Sequence, residues 1–197
     1  MNLWTIQPIE WYNKLLEHGI MYGNKDYIDP DFLSPYSWLM QQMDKRIGKR
    51  PFPDCYPIWA WYQYHDSHRR KPDLRSAGFL AKGTQGVRIE INKNKQDILL
   101  SDFELWHYPL NYWILSSSEE ESEAFDQLLT QNKIQFADQQ NYTAEIKQQI
   151  EQSWEKIFNM NYAPEYIASP FEKKSIQATF WSISTSQITK VEKFTAR

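Results

Sequence analysis

Between Ser101 and Trp113 the chain sets two Trp, two Tyr and a Phe beside Asp102, Glu104, His107 and Asn111. Rings alone would fill a core and polar groups alone would face water, so a run that carries both reads as a pocket wall. His107 is its best proton-transfer group, because an imidazole titrates near neutrality. Asp102 could orient that imidazole, but a spacing of five separates the two on a helix and on a strand alike. Each is therefore expected to have its own partner, and the structural alternative is a capping Asp with a core His. Asp102, Trp106 and Asn111 are the ligand-contacting candidates of this run.

A second concentration of charge lies in the segment from His65 to Gly86, which holds His65, His68, Arg69, Arg70, Lys71, Asp73 and Arg75. Two His at a three-residue spacing would need a third ligand to hold a metal, and the neighbouring cations disfavour a divalent ion, so no metal site is expected. Arg69, Arg70 and Lys71 could hold a phosphate or a nucleic-acid backbone, or simply face water. Arg75 follows a Pro-led turn beside Leu74. It reads as an Arg with a defined partner, either a ligand or an internal carboxylate such as Asp73 or Asp102.

Two apolar segments each carry a Thr and a Gln two residues apart: Thr5 and Gln7 in Leu-Trp-Thr-Ile-Gln, and Gln177 and Thr179 in Ser-Ile-Gln-Ala-Thr-Phe-Trp. On a strand such a pair shares one face and can read a ligand by hydrogen bonds, or it can simply be solvated. Ser-His-Asp order, a Gly-x-Ser-x-Gly elbow, a phosphate-cradling glycine loop and paired carboxylates are all absent from the sequence. Cys55, between prolines, has nothing near it in sequence that would activate a thiol.

These groups need elements to hold them. Leu3–Gln7 reads as a strand, and Pro8 then opens a helix with Ile9, Tyr12, Leu15 and Leu16 at helical spacing, closed by Gly19. Ser34-Pro35 predicts the start of a second helix that ends at Gly48. Ile58–Tyr64 predicts an interior strand, and Val87–Ile91 with Asp97–Leu100 predicts a hairpin. Ser101 and Glu104 have capping-box spacing, so a short helix should follow, ended or kinked at Pro109. Further helices are expected after the acidic serine run at 116–123 and after Thr143, and two strands at 175–183 and 188–194. The order β-α-α-β-β-β-α-α-β-β predicts an α+β fold with a mostly antiparallel sheet flanked by helices. A single domain over residues 1–197 is expected, with 117–160 a helical segment packed on the sheet.

Bulk composition narrows the partners. The chain has 197 residues, 41% hydrophobic and 24% charged, which excludes a disordered class. A net charge of −3 gives no global attraction to nucleic acid, and one cysteine excludes an intramolecular disulfide. No window approaches the roughly 20 apolar residues of a membrane span, and the start lacks a signal-peptide pattern, so a cytoplasmic location is expected.

Leu-Trp-Thr-Ile-Gln, Lys-Pro-Asp-Leu-Arg-Ser, Leu-Leu-Ser-Asp-Phe-Glu-Leu-Trp-His-Tyr-Pro-Leu-Asn and Ser-Ile-Gln-Ala-Thr-Phe-Trp together resemble an uncharacterised bacterial domain-of-unknown-function family, over the whole chain. More distantly, the first strand followed by Trp-Tyr-Asn-Lys-Leu-Leu-Glu-His-Gly-Ile is similar to the opening of the ADP-ribosyltransferase-like superfamily, as is the closing pair of strands. That resemblance implies an ADP-ribosyltransferase-like architecture. It places NAD between two central strands, with Thr5, Gln7, the ring cluster and Gln177 lining the cleft. Gln177 stands where such proteins carry a catalytic Glu, and Thr5 where a His or Arg is usual.

The first functional expectation is therefore a nucleotide-like ligand, NAD among the candidates, bound in an aromatic cleft. Thr5, Gln7, Arg75, Asp102, Trp106 and Asn111 would contact the ligand, while His107 and Gln177 would hold the catalytic positions. The alternatives are a non-catalytic interaction or regulatory protein whose rings are core, and a nucleic-acid-acting protein using the basic loop at 69–75.

Overall fold

A computed structural model describes residues 1–197. The chain divides into two compact units, Met1–Leu100 with Ser175–Arg197, and Ser101–Lys174. The elements are β and α in type with a mostly antiparallel sheet flanked by helices, as the sequence predicts.

In the first unit, β1 (Asn2–Pro8) runs into α1 (Ile9–His18), and Gly19 ends that helix in the left-handed conformation at φ 75°. Only a residue without a Cβ takes that conformation at little cost, which is why the helix stops there. β2 (Ile20–Tyr22) follows, then two single 3-10 turns and α2 (Leu33–Arg46). This helix begins one residue before Ser34, which does not cap it: the 3-10 turn at Pro30–Phe32 passes straight into the helix, so no capping side chain is used. β3 (Ile58–Gln63), β4 (Gln85–Asn92), β5 (Leu99–Asp102), β6 (Ile176–Phe180), β7 (Ser182–Ser184) and β8 (Ile188–Thr195) complete the strands.

The main sheet has the order β5-β6-β3-β1-β4-β8, and β2 pairs with β7 in a separate two-stranded ribbon. The hairpin expected between Val87–Ile91 and Asp97–Leu100 does not form. Strand β4 is bonded to β1 on one side and β8 on the other, so β5 lies beside β6 at the far edge. The connection explains why: Asn94 caps a 3-10 turn at Lys95–Asp97, and the Lys93 N–H donates to Met1 O.

One face of the sheet is apolar. Leu3, Ile58, Ala60, Val87, Ile89, Ile91, Ala178 and Phe180 cluster there with Trp11 and Leu15 of α1. Burying the Leu, Ile, Val and Phe side chains among these stabilises the fold by roughly 1.5–3 kcal/mol each. The opposite face carries charge and rings and is covered by the irregular segment 64–84. Arg70 lies 4.3 Å from the Tyr62 ring and 5.7 Å from the Trp4 ring. The buried Arg88 guanidinium donates to Pro72 O and pairs with Glu192, which also takes Lys71 at 3.0 Å.

These contacts hold the Glu192 carboxyl down at about 2, chiefly through the hydrogen bond from Arg88 and then that from Lys71. A depressed folded-state value stabilises the fold fully above the ordinary carboxylate range, and the contribution is lost as pH falls towards about 2. Glu192→Gln is accordingly expected to flatten the acid limb of the stability–pH profile, measured by urea unfolding at a series of pH values. An acid limb identical to that of the parent would show that the group does not carry this linkage.

The second unit holds α3 (His107–Asn111), α4 (Glu119–Gln131) and α5 (Ala144–Ser153). Ser118 and Thr143 cap α4 and α5 through their hydroxyls; the sequence names the Thr143 cap, while α4 starts inside the acidic serine run rather than after it, because Ser118 already supplies a cap there. The core of this unit contains Leu105, Trp106, Leu115, Phe125, Leu129, Ile146, Ile150, Trp154 and Ile157. Tyr112 meets the Trp154 ring edge-on at 5.0 Å, and the Trp154 indole donates to Trp113 O at 2.6 Å.

Candidate functional site

Two polar side chains of the first unit meet near the end of β1. Gln7 donates from Nε2 to Thr5 Oγ1 at 2.9 Å, and the Thr5 hydroxyl donates to Trp59 O at 2.9 Å. Thr5 is buried, so this relay fixes the amide in one orientation. An amide has two N–H donors and a carbonyl, which leaves the Gln7 Oε1 and one N–H for another partner. Gln7 borders a cavity of about 140 Å³ lined by rings from three elements: Trp11 of α1, Tyr36 of α2 and Trp59 of β3. Tyr36 and Trp59 meet edge-on with centroids 6.1 Å apart. Burial raises the Tyr36 phenol above its ordinary value, so it stays neutral at physiological pH.

Gly23, Asn24 and Tyr27 form a wall shared with a second, more open groove of about 420 Å³, which adds Lys14, Met21, Tyr22, Phe52 and Asp54. Gly23 is there because nothing larger fits: an added Cβ would come within 2.2 Å of Tyr56 O. The inner cavity has no His, carboxylate or ammonium in its lining. It can hold a planar ring by stacking and hydrogen bonds.

Gln177 lies elsewhere. Antiparallel partners share a face, and Trp4 pairs with Trp61, which pairs with Gln177. Thr5 and Gln7 alternate with Trp4 and so lie on the opposite face. The two Thr-plus-Gln segments therefore do not line one cleft. Arg75 has 79% of its side chain exposed and is held by its near neighbour Asp73 at 2.6 Å, the internal partner that the sequence offered. Within the basic loop Arg69 pairs with Asp66, Arg70 stacks on Tyr62 and Trp4, and Lys71 pairs with Glu192, so all three cations have internal partners. Cys55 is fully buried, and burial pushes its thiol up to about 11, so it is not poised as a nucleophile.

The other candidates belong to the second unit. Asp102 accepts from the backbone N–H groups of Glu104 and Leu105 and pairs with Lys174 at 2.6 Å, both side chains being buried. Lys174 also donates to Tyr162 O. His107 is exposed and bonds Glu104 O through Nδ1, so Asp102 and His107 do have separate partners. The short helix starts only at His107, after the turn capped by Asp102, and Pro109 sits inside its first turn, where a missing N–H costs nothing. Asn111 is exposed and donates to His107 O, four residues back. Trp106 is buried. Of the thirteen-residue run, Tyr108 and Trp113 line a groove, and the named polar side chains bond within the second unit.

The cavity rings Trp11, Tyr36 and Trp59 were not among the sequence candidates. Their only local signal is ring density in segments that also read as core. No helix is long and apolar enough to cross a membrane, and no group of three or more His, Cys, Asp or Glu side chains is placed to hold a metal ion. No curated protein and no solved structure matches the chain. The model of one family, described as a domain of unknown function (DUF3841), matches residues 2–189, and the chain belongs to that family.

Proposed function

We propose that the protein binds a nucleotide-like ligand, with one planar heteroaromatic ring in the inner cavity and the rest of the molecule along the outer groove. The observation that carries this reading is Gln7, an amide oriented by a buried relay and left with a donor and an acceptor beside Trp11, Tyr36 and Trp59. A dry cavity of roughly 150 Å³ accepts benzene, so about 140 Å³ suits a single ring. The remaining donor and acceptor would select a ring that carries both, such as a nucleobase or a nicotinamide carboxamide. Lys14, in the outer groove, supplies a cation for a phosphate.

NAD is the first compound to try, because it carries two rings of this kind and because the opening strand and helix resemble those of ADP-ribosyltransferase-like proteins. The reading extends to binding and not to group transfer. Gln177 lacks the charge that stabilises an oxocarbenium-like transition state, and it lies on the other face of the sheet from Gln7.

The test is a thermal-shift and calorimetric panel of NAD, AMP, adenosine and nicotinamide on the parent chain and on Gln7→Leu. The parent is expected to bind at least one of them, and the variant to bind it about tenfold more weakly, the worth of one hydrogen bond. Absence of binding across the panel at millimolar ligand, or equal affinity in the variant, would overturn the reading.

A further inference from the structure

The second unit has a groove of its own, and its chemistry is the opposite of the first unit's. Residues 101–174 carry 13 acidic and 5 basic side chains, a net charge of −8, with no arginine; the remainder carries 12 acidic and 17 basic, a net +5, which together give the chain's −3. The groove, of about 330 Å³, is lined by Tyr108, Trp113, Ile114, Phe136 and Ile167 with Glu119 and the hydroxyls of Ser116, Ser118 and Ser122. Trp113 and Phe136 have centroids 6.3 Å apart and are tilted by 36°, yet they remain 40% and 56% exposed. Two large rings held together at the surface without cover are characteristic of a contact surface.

Acidic residues in the first turn of α4 have a structural use, since they complement the helix dipole. That accounts for Glu119, Glu120 and Glu121, of which Glu121 is neutralised by Lys156. It does not account for Glu123 beyond that turn, nor for the absence of any ion pair at Glu119, Glu120 and Glu123. Glu119, which has no counter-ion, lines the groove with these exposed rings in a unit of net negative charge, and together they form a site for a cation that is also apolar, because the ring quadrupole and the carboxylate both attract it.

We propose that this groove docks a basic, apolar peptide segment of a partner protein, with a Lys or Arg of that segment over Trp113 and Phe136 and its apolar side chains against Ile114 and Ile167. Charge complementarity selects the occupant. A nucleic-acid backbone would be repelled by a unit of this sign, and the groove has no cation to hold it. Rings and isoleucines beside hydroxyls and a carboxylate suit a chain segment that carries both apolar and basic side chains.

The test uses the full chain and a fluorescein-labelled peptide of alternating arginine and leucine, followed by fluorescence anisotropy at low and moderate salt. The parent is expected to bind, more weakly as salt rises. Trp113→Ala and Phe136→Ala, which leave the charge unchanged, are each expected to weaken binding about tenfold, as loss of a contact-surface ring does. Glu119→Gln with Glu123→Gln should weaken it and flatten the salt dependence. Both ring side chains are exposed, and the backbone carbonyl of Trp113 that receives the Trp154 indole survives the change, so matching circular dichroism spectra are expected. No peptide binding, binding indifferent to the ring variants, displacement by choline at equal concentration, or tighter binding of single-stranded RNA at this groove would each overturn the proposal.

Discussion

Lys174→Met is expected to lower the stability of the fold by about 3–5 kcal/mol, the usual cost of stranding one member of a buried ion pair. The Lys174 side chain is fully buried and that of Asp102 is 3% exposed, so neither charge has water to turn to. The ammonium also holds Tyr162 O, while the carboxylate organises the turn at Glu104 and Leu105. The two residues stand near the two ends of the second unit in sequence, so their bond clips its entry to its exit. Adding Asp102→Asn to Lys174→Met keeps an acceptor for the turn and removes the stranded charge, so the double variant should recover part of the loss. Urea unfolding followed by near-ultraviolet circular dichroism checks both. A single variant within about 1 kcal/mol of the parent, the range of an exposed pair, would mean that the pair is solvated in the folded protein.

The second large effect falls on the binding site itself. Gly23→Val is expected to abolish ligand binding and to cost about 1–3 kcal/mol, as overpacking does. The obstacle is backbone: the first added carbon would meet Tyr56 O at 2.2 Å and Pro57 O at 2.8 Å. The bridge between Gly23 and Tyr56 must then open, and with it the wall shared by the two cavities. Ligand calorimetry alongside thermal unfolding reads both consequences. A variant that binds as the parent does would separate the wall from the ligand.

What could be read from the sequence was local. The strand–helix–Gly19 opening and the cap at Thr143 are decided within a few residues, and they lie where the sequence puts them. The pairing of Asp73 with Arg75 is local too, and it was one of the partners foreseen. What could not be read was set by partners distant in the chain. The strand beside β5 is β6, some seventy residues later, and proximity in sequence had suggested β4. The faces of Gln7 and Gln177 depend on the register of β1 and β6 with the intervening β3, so a Thr and a Gln in each strand say nothing about a shared cleft. The candidate cavity needs α1, α2 and β3 brought together, and no spacing in the chain expresses that. The ring-rich run from Ser101 to Trp113 does supply Tyr108 and Trp113 to a groove, but its carboxylate went to a lysine seventy-two residues away.

Indole N–H resonances offer the most direct view of the cavity, since the chain has nine tryptophans and Trp11 and Trp59 line it. With ¹⁵N-labelled tryptophan and each signal assigned by substitution, titration with the compound that binds in the nucleotide panel should shift the Trp11 and Trp59 indoles. The Trp154 indole, buried in the other unit, should stay in place. Saturable shifts confined to Trp11 and Trp59, with the midpoint moved to about tenfold higher ligand concentration in Gln7→Leu, are the predicted result. Shifts at other tryptophans with Trp11 and Trp59 unmoved would contradict the assignment of this cavity as the ligand site.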